Sequence, residues 1–133
     1  RYTLKRAFQS ELWSEERQMF RDGKPGQSSS PLGQWLPADK QMESFSSQVN
    51  LLAAAYGLVP EGSLSQLVDK VMASGPANLQ PYFMHFGFDA LAASGRFNEW
   101  ATKQFRRWKP VEDTQTFPEM WDRGDLSHAW QCT

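Results

Sequence analysis

The sequence predicts an all-α chain built from helical hairpins. Three observations point there. Apolar residues recur at three- and four-residue spacing through most of the chain. Glycine and proline punctuate the periodic stretches at regular intervals. No stretch shows a sustained apolar–polar alternation of period two, the mark of a half-buried strand.

The spacing of Leu4, Phe8 and Leu12 predicts a first helix over about residues 2–12. The chain then runs through Trp13 toward Gly23, where glycine ends the element. Residues 23–40 read as a long Gly/Ser/Pro-rich loop holding Trp35, which is best taken as a loop anchor. A second helix is expected over about 43–56, with Phe45, Val49, Leu52, Ala53 and Tyr56 in step and Gly57 as terminator. A third follows Ser63, with Gln66 completing a capping-box pattern. Its stripe is Leu64, Leu67, Val68, Val71 and Met72.

The fourth helix, about 79–93, is apolar on two faces and so predicts burial on both. One face carries Leu79, Tyr82, Phe83, Phe86 and Ala90, the other Met84, Phe88 and Leu91. His85 is expected in the core or on an inner wall. The fifth helix, about 98–108, is closed by Pro110. Residues 110–126 read as a loop, and Ser127 is placed to cap a further helix. A helix that has barely begun at Thr133, and the absence of an initiator Met, lead us to expect part of a larger domain. On this reading residues 1–133 form one partial domain.

Composition narrows the function classes. The chain has 133 residues, 40% of them hydrophobic and 22% charged, which suits a packed core rather than disorder. Fourteen basic and fifteen acidic residues leave a net charge of −1, so neither nucleic acid nor an anionic membrane is expected as a partner. No apolar run reaches the length of a membrane span. Cys132 is the only cysteine, which rules out an internal disulfide or a cysteine metal cluster. With only His85 and His128 besides, no metal and no other cofactor is expected. Lys103, Arg106, Arg107 and Lys109 read as a solvated helix face. Asp122 and Asp125 read as loop or cap acids.

No phosphate loop, helical HExxH or nucleophile elbow is present. The stretch that can carry chemistry is Phe117-Pro118-Glu119-Met120-Trp121-Asp122, followed by Ser127-His128-Ala129-Trp130. Read alone, Glu119 is a solvated loop acid. A carboxylate between aromatics is also what sugar hydrolysis uses: it can deprotonate a water while a second carboxylate protonates the leaving oxygen. Tryptophan faces match the C–H faces of a pyranose, and histidine can hydrogen-bond a hydroxyl.

That stretch, from Thr116 to Trp130, resembles the family 78 α-L-rhamnosidases and related six-hairpin glycosidases, which carry a Glu-x-Trp element followed by Ser-His-x-Trp. Three further segments are similar in the same order. These are Gln48–Ala53 with Gly57-Leu58-Val59-Pro60, Pro81-Tyr82-Phe83 with Ala90-Leu91 and Gly95, and Arg96-Phe97 to Arg107-Trp108.

The resemblance implies an (α/α)6 toroid, of which this chain is the C-terminal portion, and inverting hydrolysis of terminal α-L-rhamnosides. It implies Glu119 as the general base, His128 as a sugar contact, and Trp121 and Trp130 as pocket walls. The general acid belongs to an earlier part of the toroid, and Asp22, Asp39 and Glu43 do not sit in its motif. The 133 residues alone are therefore expected to be inactive. The expected partners are a carbohydrate substrate and the rest of the parent domain, or self-association through exposed apolar flanks. Two other classes stay open. One is a catalytically inactive helical carbohydrate-binding or interaction module. The other is a six-hairpin hydrolase of a different sugar.

Overall fold

The computed structural model describes residues 2–23, 44–74 and 79–121. Within them the chain is mostly helical. α1 (Tyr2–Leu12) leads into a two-residue antiparallel ribbon, β1 (Trp13–Ser14) and β2 (Met19–Phe20). α2 (Ser47–Ala55), α3 (Leu64–Ala73) and α4 (Met84–Ala93) follow, the last entered through a 3-10 turn at Pro81–Phe83. α5 (Phe97–Phe105) continues as a 3-10 turn (Arg106–Trp108) and then α6 (Pro110–Thr114).

Local chemistry explains most boundaries. Ser46 caps α2, its hydroxyl accepting from the Val49 N–H at 3.2 Å. α2 therefore starts at Ser47 rather than near residue 43. It ends in a Schellman motif: Gly57 N–H donates to the Ala54 carbonyl and Leu58 N–H to the Ala53 carbonyl at 2.8 Å. Gly57 holds φ +67° with nothing near its missing Cβ, so an added methyl meets backbone strain and no clash. Gly57→Ala is expected to cost about 1 kcal/mol. A denaturant titration in which the variant matches the parent would refute this account of the α2 terminus.

Several expected features differ. Ser63 does not form a capping box: its backbone is already helical, and its hydroxyl donates instead to Gln18 Oε1 at 3.3 Å. Pro110 does not close a helix but opens one. It occupies the first turn of α6, where its missing N–H has no intrahelical partner to lose. The expected loop over 110–126 thus begins with a helical turn. The segment after α1 folds back as a hairpin, with Gln18 in the left-handed region at φ 51° and its N–H donating to the Ser14 carbonyl at 2.7 Å.

The core lies where α2, α3 and α4 meet. Leu51, Leu67, Val68, Val71, Leu79 and Leu91 are fully enclosed, or nearly so. Burial of each large aliphatic side chain contributes about 1.5–3 kcal/mol. The α3 stripe is as the spacing indicates, with Leu67, Val68, Val71 and Met72 inside and Leu64 packed at its edge. The faces of α1, α2 and α4 are rotated from expectation. Leu4 is 74% exposed, so only Phe8 and Leu12 of the α1 stripe reach the core. α1 docks instead through polar hooks: Lys5 Nζ donates to the Gly57 carbonyl and Gln9 Nε2 to the Leu58 carbonyl. α2 buries Asn50, Leu51, Ala53 and Ala54, and Tyr56 faces outward. α4 buries Met84, Gly87, Ala90 and Leu91 on one face, against the expectation of two. His85 is not in the core. Its side chain is 52% exposed, 3.7 Å from Asp89 one turn on.

Two polar links join elements far apart in sequence. Asn50, completely buried, exchanges hydrogen bonds with the Phe20 backbone and ties α2 to β2. Asp69 of α3 accepts from Trp100 Nε1 at 3.0 Å and pairs with Arg96 at 2.8 Å, fastening α5 to α3. Among the described residues, no helix is long and apolar enough to cross a membrane.

Candidate functional site

The segment singled out by the sequence follows α6. Gln115 ends that helix in the left-handed region at φ 56°, and the chain then runs as Phe117–Trp121 without regular structure. Pro118 is buried, and Glu119 and Met120 are half-buried. Trp121 fixes the far end. Its Nε1–H donates to the Leu79 carbonyl at 2.6 Å, and its backbone N–H donates to Gln80 Oε1 at 3.3 Å. Both acceptors lie just before the 3-10 turn that enters α4. The loop bearing Glu119 is thus held against the start of α4, some forty residues earlier in the chain.

The indole of Trp121 is packed on two sides. Trp108 meets it edge-on, with ring centroids 4.8 Å apart, and the Arg107 guanidinium lies over it at 4.5 Å. Arg107 therefore departs from the solvated face expected for Lys103, Arg106 and Lys109, which are exposed. Burial holds the Arg107 pKa below its ordinary value, because a desolvated guanidinium is less stable charged. Contact with the Trp121 π face offsets part of that cost. Trp121→Phe keeps one aromatic ring but removes the pyrrole half of the indole with its Nε1–H donor, taking away the bond to the Leu79 carbonyl. A loss of about 1–2 kcal/mol in chemical denaturation is expected. No measurable loss would mean that the indole hydrogen bond does not anchor this segment.

Of the residues assigned by sequence, Glu119 and Trp121 fall in this one loop. His128 and Trp130 lie outside the described residues, as do Asp122, Asp125, Cys132, Trp35, Asp39 and Glu43. Asp22 is described, and it is a structural acid. Its Oδ1 accepts from Ser46 N–H at 2.8 Å and from the Ser46 hydroxyl at 2.6 Å, which ties it to the N-cap of α2. No group of three or more metal-ligating side chains occurs among the described residues.

The structure also brings Phe117 and Trp108 together with residues that no motif marked. Phe88 and Phe105 stack at 4.8 Å, and with Trp108, Val111 and Phe117 they line an open groove of about 600 Å³ beside the Glu119 segment. Phe105 is 53% exposed there. The helical spacing of Phe97 and Phe105 carried a signal, yet it was indistinguishable from that of core residues.

The fold and site together describe a mostly helical protein with a carboxylate-bearing loop pinned to the start of a helix. Comparison with protein-family models, curated proteins and solved structures finds no match to this chain.

Proposed function

We propose that the chain is part of the catalytic toroid of a six-hairpin glycoside hydrolase, and that the whole protein hydrolyses terminal α-L-rhamnosides with inversion. The observation that carries this reading is the anchoring of Glu119. Trp121 ties the loop to the residues preceding α4, so the half-buried Glu119, two residues from Phe117 and two from Trp121 in the chain, stands in a segment fixed beside the start of that helix. The packing of α2 on α4, alternate helices in the chain, with α3 and α5 joined by Asp69, suits an inner and an outer layer of hairpins.

In this reaction Glu119 takes a proton from water as the water oxygen bonds to the anomeric carbon. The bond from that carbon to the leaving oxygen breaks, and a second carboxylate protonates that oxygen. Inversion leaves room for the water, with the two carboxyl groups roughly 6.5–9.5 Å apart. The second acid belongs to another part of the protein. His128, Trp121 and Trp130 contact the sugar.

The test is stereochemical. Proton NMR of the whole protein acting on an aryl α-L-rhamnoside should show β-L-rhamnose as the first-formed anomer. Release of the α anomer, or no turnover by folded protein, overturns the reading. A second reading is favoured by the exposed Phe88–Phe105 groove: a helical module that binds a partner through this face without catalysis. Folded whole protein inactive on every glycoside tried would favour it.

A further inference from the structure

We draw no further inference here: the strongest candidate, the open apolar groove that Phe88 of α4 forms with Phe105, Trp108, Val111 and Phe117 beside α6, is an unpartnered face, and nothing in the structure shows what covers it.

Discussion

Glu119→Gln in the whole protein is expected to lower turnover of an aryl α-L-rhamnoside by about 10²–10⁴-fold, the usual worth of a general base. Glutamine matches the shape of glutamate but cannot accept a proton from water. KM should change little, because the substitution acts on the attacking water rather than on sugar binding. The melting temperature is the control for folding, because Trp121 anchors the segment through the Leu79 carbonyl whichever residue stands at 119. Azide offers an internal control. A small anionic nucleophile needs no base, so azide should restore turnover in the variant and give the β-L-rhamnosyl azide. A variant of wild-type rate would dismiss Glu119 as the base. A slow variant that azide does not rescue, with a shifted melting temperature, would mark Glu119 as structural.

Asn50→Ala is expected to be the most damaging single change to stability, at about 3 kcal/mol. Asn50 is fully buried, and its amide serves a backbone as completely buried as itself. Its Oδ1 accepts from Phe20 N–H at 2.8 Å, and its Nδ2 donates to the Phe20 carbonyl at 3.0 Å and to the Ser46 carbonyl at 2.9 Å. β2 has a ladder partner on one side only, so Asn50 acts as its missing neighbour on the other. Alanine leaves both Phe20 groups without a partner, at about 1–3 kcal/mol each. Asn50→Asp should also be costly, because it keeps the acceptor, loses the donor and buries a charge. Denaturant titration measures both. A loss below about 1 kcal/mol for alanine would mean that β2 relaxes to water and that Asn50 is not its clamp.

Neither Asn50 nor the Trp121 anchor was legible in the sequence beyond its residue type. Asn50 stands within an apolar helical run and reads as a neutral helix residue. Its value comes from Phe20, thirty positions earlier. Trp121 reads as a wall for a sugar, and the structure adds an indole N–H bond to the Leu79 carbonyl that fastens the loop. Glu119, by contrast, was legible as a candidate from its neighbours, because the Glu-x-Trp pattern is local. What lies around it was not. The Leu79 and Gln80 acceptors come from a distant turn, and the Phe88–Phe105 stack joins two helices.

The sequence by itself determined the helical class and most of the helix ends. These depend on interactions within a few residues: the left-handed glycines after α2 and α4 and the apolar spacing of α3. Hydrogen bonds from residue i to i−4 and the steric cost of a Cβ at positive φ are local, so local sequence specifies them. Only the tertiary structure decided which faces are buried. Leu4, Tyr56, Tyr82 and His85 point outward although their spacing suits a core, because no other described element covers them. A helix can present an apolar stripe, but burial requires a second surface, and which surface comes to meet it is settled by the packing of α2, α3 and α4 as a whole.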